Sequence, residues 1–211
     1  MTETPLDRLC AHRGVAVPAA GHLLDLAAEL DLRPADLLTI AGGAVPAEYL
    51  PADPGAAPLI ESLPLLRLKV AAAEAARGHA RSLAGPPTAG GSPGLPALEA
   101  VTFGAVFSRL MQIRNITRWG MAYATSSALS TVARTMRGGV PGPERVALMA
   151  ATLCLRPDDV EAMAARGTEA PPPEAWVHDH LPQLWAVGEL ILALVPLQRD
   201  QINAVLARAP D

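Results

Sequence analysis

The chain has 211 residues, half of them hydrophobic but only 3% aromatic, and a formal net charge of −4. That length allows one or two domains, and a core so poor in aromatic residues must be built from Ala, Leu, Val and Met, which favour helix. Alternating Val, Ile, Thr and Tyr runs of the strand type are absent. We therefore predict an all-α, multi-helix protein.

Targeting and redox signals are also missing. The chain has no basic N-terminus followed by an apolar run and no 18-residue apolar span, so we expect a cytoplasmic protein without a membrane partner. Cys10 and Cys154 lie far apart without metal-ligand spacing, and Cys154 between two leucines is expected to be a small core residue. Sixteen Arg accompany one Lys, Lys69, a bias typical of a GC-rich genome such as that of an actinobacterium.

The first half, residues 1–83, has room for one short helix over 6–12 and then a helix-turn-helix corner over 26–41. Pro34 fits the first position of the second helix of this corner, and Asp36 lies near the positive end of that helix. Residues 84–96 are rich in Gly and Pro and predict a linker that divides the chain.

The second half repeats the corner. Residues 149–164 align without gaps to 26–41, with identical residues at half of the positions. We interpret this as a duplication, whose first copy is truncated to a packing or dimerisation element; the alternative is two independent corners with similar turn chemistry. The identical pairs are Ala27/Ala150, Ala28/Ala151, Leu30/Leu153, Leu32/Leu155, Arg33/Arg156, Pro34/Pro157, Asp36/Asp159 and Ala41/Ala164.

Ahead of its corner, the second copy has room for three more helices, near 98–113, 117–124 and 128–136. The last two carry a recognisable pattern: Met121-Ala122, a turn at Ser126, an inward Val132 and a closing Arg137-Gly138. This pattern resembles the Cro/repressor-type (XRE-like) helix-turn-helix family over about 55 residues. The resemblance implies one complete five-helix unit within a DNA-binding domain at 97–167.

The resemblance also implies a role for individual residues. Thr117 would cap the first helix of the pair and Arg118 would contact phosphate. Ser127 would begin the second helix, the reading helix, whose side chains enter the major groove. The other implied roles are base contact for Leu129, Ser130 and Arg134, and backbone contact for Ser127, Thr131 and Arg137.

The distribution of charge supports DNA binding by this segment. Between 97 and 141 five arginines accompany one acidic residue, Glu99, although the whole chain is acidic. An ordinary solvated surface is the alternative interpretation of these arginines.

Some residues depart from the family pattern. Thr125, Ser127 and Thr135 stand where the pattern prefers apolar residues and predict looser packing, and Gly120 within a helix costs about 1 kcal/mol relative to Ala.

The C-terminal segment, 168–211, opens with a Pro-rich break, and its residues 181–209 are apolar on most of a helical circumference. Such a helix is usually buried, so it is either core or a dimer interface. His178-Asp179-His180 lacks further ligands nearby, and we expect no metal there. No motif for phosphate binding, nucleophilic catalysis or paired carboxylates stands out, so we expect neither an enzyme nor a cofactor.

The sequence thus favours a transcriptional regulator that binds double-stranded DNA with the helix near 127–136, as a homodimer. The alternative is an interaction module that keeps the helix-turn-helix fold but has lost DNA binding, with a sigma factor or another regulator as its protein partner. A third hypothesis is a regulator that senses a small molecule in a mostly apolar cleft between the halves.

Overall fold

The computed structural model describes residues 3–17, 22–66, 68–85, 93–165 and 175–208. These residues form helices and turns with no strand, and an isolated backbone bridge pairs Val45 with Leu95. The predicted all-α class is confirmed; most of the predicted linker 84–96 and the break at 167–173 lie outside the described residues. The α-helices are α1 (Pro5–Arg13), α2 (Leu23–Glu29), α3 (Pro34–Ile40), α4 (Ala57–Ser62), α5 (Val70–Leu83), α6 (Phe103–Gln112), α7 (Arg118–Ala124), α8 (Leu129–Met136), α9 (Pro143–Thr152), α10 (Pro157–Met163), α11 (Ala175–Leu194) and α12 (Arg199–Leu206).

Local capping explains where several helices begin. The Thr4 side chain accepts from the Asp7 amide at 3.2 Å, and the Asp7 carboxylate accepts from the Thr4 amide at 2.8 Å, which forms a capping box at α1. Thr102 caps α6 and Thr117 caps α7, each accepting from an amide in the first turn. Thr117 therefore has the capping position that the sequence predicts.

The two matching corners, α2–α3 and α9–α10, have the same backbone conformation. Asp31 follows α2 with φ 55° and Cys154 follows α9 with φ 51°, so both helices end in a left-handed residue. Pro34 and Pro157 then take the first turn of the next helix, where the missing amide costs no hydrogen bond. The common origin of the two halves stays a prediction from the sequence.

The first helices of the two halves are exchanged between the corners. α1 packs against α10 of the second half, and α6 packs against α3 of the first half. Each contact contains a buried carboxylate held by an arginine. Arg13 Nε lies 2.6 Å from Asp159 Oδ1, and Arg114 Nη1 lies 2.8 Å from Asp36 Oδ1.

A second arginine strengthens each exchanged contact. Arg8 Nη2 donates to the Met163 carbonyl at 2.6 Å, and Arg109 Nη1 donates to the Gly43 carbonyl at 3.1 Å. Both carbonyls lie at or just beyond the C-terminal end of the helix that receives the contact. α6 therefore contacts both halves of the chain, α8 in its own half and the α2–α3 corner in the other.

The last two helices complete the core. α11 packs against α5 and α9, and α12 packs against α5. Gly188 permits the close approach of α11, since a Cβ there would lie 2.8 Å from the Ala151 carbonyl oxygen. Much of the apolar surface of α11 is thus buried within the chain, as the core interpretation of this segment expects. In the described residues no helix combines the length and hydrophobicity that crossing a bilayer requires.

Candidate nucleic-acid interface

α7 and α8 form a helix pair joined by a tight four-residue connection. Ser126 has φ 47° in this connection, so the chain reverses through a left-handed residue at the predicted turn position. The N-cap of α8 is Ala128, one residue later than the predicted entry at Ser127, and it makes no side-chain capping bond. Met121 and Val132 are fully buried between the helices.

Of the three polar residues for which the sequence predicts looser packing, Thr125 and Thr135 are buried and Ser127 is half-buried. Thr125 Oγ1 donates to the Met121 carbonyl at 2.8 Å and lies 2.9 Å from Ser127 Oγ. Thr135 Oγ1 donates to the Thr131 carbonyl at 3.1 Å. Because each hydroxyl finds a partner within the helix pair, burial leaves neither of them unpaired.

Arg145 of α9 holds the turn between the helices. Its Nη1 donates to the Thr125 carbonyl and, at 3.1 Å, to the Ser126 carbonyl. The connection is therefore fixed to α9 by a charged donor. Sequence reasoning missed this residue, because no local pattern links Arg145 to a turn about twenty residues earlier in the chain.

The outer side of the helix pair exposes basic side chains. Ser130, Arg134 and Arg137 are exposed along α8 and its C-terminal end, and Arg118 is exposed at the start of α7. In the described part of the chain, no carboxylate lies within salt-bridge distance of these three arginines. The structure brings these four predicted site residues to solvent, where a polyanion can reach them.

The other predicted site residues are less accessible. Leu129 is half-buried and packs against the core, and Thr131 is half-buried. The Ser127 hydroxyl is engaged with Thr125, and the Thr117 hydroxyl both caps α7 and donates to the Glu61 carboxylate. These four residues therefore have structural roles or partly covered surfaces in the free chain.

Two of the five arginines counted as a basic segment do not contribute to its surface. Arg114 is fully buried and paired with Asp36, and Arg109 is buried with its Nη1 on the Gly43 carbonyl. The sequence interpretation of five surface cations is wrong at these two positions. Their partners lie in the first half of the chain and could not be read from the segment itself.

The first half also places an acid on this surface. Glu61 of α4 accepts a hydrogen bond from Thr117 at the N-terminus of α7. A Cβ on Gly120 would lie 3.3 Å from the Glu61 Cα, so Gly120 allows α4 to approach α7 closely. The glycine that is costly for helix formation is therefore explained by packing.

Arginines pair with the carboxylates in a small group of potential metal ligands. His12, Asp158 and Asp159 have ligand atoms within 4.8 Å of one another. Asp159 accepts from Arg13, and Asp158 accepts from Arg156, whose hydrogen bonds lower the pKa of Asp158 to about 2. Both carboxylates already have cationic partners and do not require an ion.

Comparison with known proteins finds no match to a family model, a curated protein or a solved structure. The function is therefore inferred from the side chains of this chain and their geometry.

Proposed function

We propose that this protein is a DNA-binding transcriptional regulator of the helix-turn-helix kind, which reads the major groove with α8. The observation that carries the proposal is the exposed pair Arg134 and Arg137 on the outer side of a helix whose inner side, at Val132, is fully buried. An exposed helix held by a second helix is the arrangement that such readers use.

The dimensions and charges of the helix pair support this function. α8 has eight residues, and an α-helix with its side chains is about 10–12 Å across, which a major groove about 12 Å wide can admit. Arg134 on the outer side can donate two parallel hydrogen bonds to guanine, while Arg118 and Arg137 at the helix ends suit phosphate. Ser130 between them can donate to or accept from either a base or the backbone.

A salt series tests the proposal. We expect mixed genomic DNA fragments to retain the wild-type chain, with an affinity that falls steeply as salt rises. Arg134→Ala combined with Arg137→Ala should weaken binding at least tenfold and reduce the magnitude of the salt slope by about 1, since Arg137 is the one of the two assigned to phosphate. The matched control is Arg81→Ala with Arg208→Ala, which removes equal charge from exposed positions on α5 and beyond α12.

The proposal fails if the wild type shows no salt-dependent retention. It also fails if the α8 variant and the control variant bind alike, because the interaction would then depend on net charge and not on α8.

We further propose that the reader acts as a homodimer, because a helix of about two turns contacts few base pairs and a two-fold pair doubles the contacts. Since α11 and α12 bury apolar residues against α5 within the chain, the dimer contact is expected elsewhere. Sedimentation equilibrium of the full chain, with and without DNA, tests this; a monomer mass under both conditions would contradict it.

A second candidate is a helix-turn-helix protein-interaction module. The reduced basic surface favours it, because Arg109 and Arg114 are buried and Glu61 occupies the N-terminus of α7. Under this function the chain would show no salt-dependent DNA retention in the experiment above, while a folded α7–α8 pair would still bind a protein partner.

A further inference from the structure

A cleft of about 760 Å³ lies beside the helix-turn-helix. One wall is the segment around Pro64 and Leu68, the second is the end of α7 with its turn, and the third is α11. Its volume falls within the range of small-molecule sites, about 300–1,000 Å³. The cleft thus joins elements from both halves of the chain around one space.

The described lining combines apolar and polar side chains and includes His180. Apolar side chains such as Leu148, Leu184 and Val187 form much of it, and Tyr123, Ser126, Ser127 and Gln183 bring polar groups that can hydrogen-bond. No Asp, Glu, Lys or Arg of the described residues lines the cleft. The hydroxyl and amide groups of the polar lining residues can hydrogen-bond an uncharged molecule whose apolar part lies against the apolar side chains.

Exposed apolar surface is concentrated at the mouth of this cleft. Leu65 is 58% exposed and Tyr123 is 39% exposed, and both line the opening. Trp119, 51% exposed, has its ring 5.9 Å from the Tyr123 ring, and Leu66 beside Leu65 is 50% exposed. Contiguous exposed apolar groups around a concave site are typical of a surface that binds a ligand.

We propose that this cleft binds an uncharged amphipathic small molecule, with an apolar part that packs against the apolar side chains and hydrogen-bonding groups that meet the polar ones. The ligand would contact Ala124, Ser126 and Ser127, which connect α7 to α8, and at the same time Leu184 on α11. Binding would thereby be linked to the placement of α8; this link rests on the proposed function, whereas the binding site itself does not.

The test uses the neutral fluorophore N-phenyl-1-naphthylamine, titrated into the full chain without DNA. We expect saturable binding of one probe per chain and weaker binding of the anionic 1-anilinonaphthalene-8-sulfonate. Leu184→Trp should fill the cleft and weaken binding at least tenfold. Leu65→Glu, at the mouth of the cleft, should also weaken probe binding. Because this position is exposed, the variant keeps the test valid even if Leu184→Trp fails to fold.

Leu24→Glu is the matched control, since Leu24 on α2 is 57% exposed and lies outside the cleft. Bound probe should also slow amide hydrogen exchange in segments 121–128 and 180–187. The proposal is overturned if binding does not saturate, if Leu65→Glu and Leu24→Glu behave alike, or if protection lies elsewhere. Probe affinity that falls with rising protein concentration would identify a second copy of the chain as the occupant and overturn it as well. Because no DNA is present, these results are independent of the outcome for DNA binding.

Discussion

The guanidinium of Arg114 is paired with the carboxylate of Asp36: its Nη2 donates to Oδ2 at 2.9 Å, and its Nη1 lies 2.8 Å from Oδ1. Both side chains are almost completely excluded from solvent. Arg114 Nη2 also donates to the Leu153 carbonyl at 2.6 Å, so one side chain joins the end of α6 to both corners. This contact fixes the second half of the chain to the first.

Removing one partner of this pair should be strongly destabilising. Asp36→Asn leaves the Arg114 charge buried without compensation, and we expect a loss of about 3–5 kcal/mol in the free energy of unfolding, measured in urea. Asp159→Asn should cost less, because its partner Arg13 is 21% exposed and can reach water. The double variant Asp36→Leu with Arg114→Met should be more stable than Asp36→Asn; a double variant that is less stable would contradict the uncompensated-charge explanation.

Acid should destabilise the chain through the same carboxylate. Burial alone would raise the pKa of Asp36, but the charges of Arg114 and Arg33 hold it below the usual value of 3.8. A lowered folded-state pKa means that this contribution to stability is present above about pH 4 and is lost as the pH falls through the lower folded value. The free energy of unfolding between pH 7 and pH 3 measures it, and the Asp36→Leu with Arg114→Met variant should depend less on pH than the wild type. Equal pH dependence of the unfolding free energy in both proteins would show that Asp36 does not cause the acid destabilisation.

Gly104 should be intolerant of a side chain. A Cβ there would lie 2.5 Å from both the Met136 carbonyl oxygen and the Gly138 amide nitrogen, so Gly104→Ala must displace the end of α8 from α6. We expect a loss of about 1–3 kcal/mol in unfolding free energy and weaker DNA retention. Gly78→Ala is the control, because a Cβ at this position in α5 meets nothing within 4 Å and should stabilise the chain by about 0.5–1 kcal/mol. Similar stability changes for the two variants would refute the close α6–α8 contact.

Glu61 should limit DNA affinity. Its carboxylate lies on Thr117 at the N-terminus of α7, where the proposed function brings a phosphate. Glu61→Gln keeps a hydrogen-bonding group but removes the negative charge, and we expect DNA affinity to rise a few-fold at low salt, with the gain shrinking as salt screens the charge. Glu74→Gln on α5 is the control for net charge. A Glu61→Gln affinity no higher than that of Glu74→Gln would show that the phosphate backbone does not approach α7 in this way.

Both thiols should be unreactive in the folded chain. Burial raises the pKa of Cys10, and it raises the pKa of Cys154 to about 12, so the thiolate that reacts with disulfide reagents is scarce at neutral pH. We expect 5,5′-dithiobis(2-nitrobenzoate) at pH 8 to react slowly with the native chain and at once with two thiols in urea. A fast native phase that Cys154→Ser abolishes would identify Cys154 as accessible.

Much of the secondary structure could be predicted because its signals are local. Thr117 caps α7, Pro157 begins α10 and Ser126 occupies the turn, since caps, prolines and left-handed turn residues act within a few positions of the chain. The partners of polar residues such as Thr125 could not be predicted, because the sequence does not show that a buried hydroxyl finds a carbonyl four residues earlier and a neighbouring serine.

The sequence by itself determined the all-helical class, the positions of α7 and α8 and the internal match between the two corners, because helical period and turn chemistry are short-range properties. Only the tertiary structure decided that α1 and α6 are exchanged between these corners. It also decided that Arg109 and Arg114 are structural while Arg134 and Arg137 face solvent. The sequence does not distinguish these four arginines. Their roles differ because the partners of Arg109 and Arg114, the Gly43 carbonyl and Asp36, lie more than sixty residues away in the chain. These partners come into contact only when the core forms.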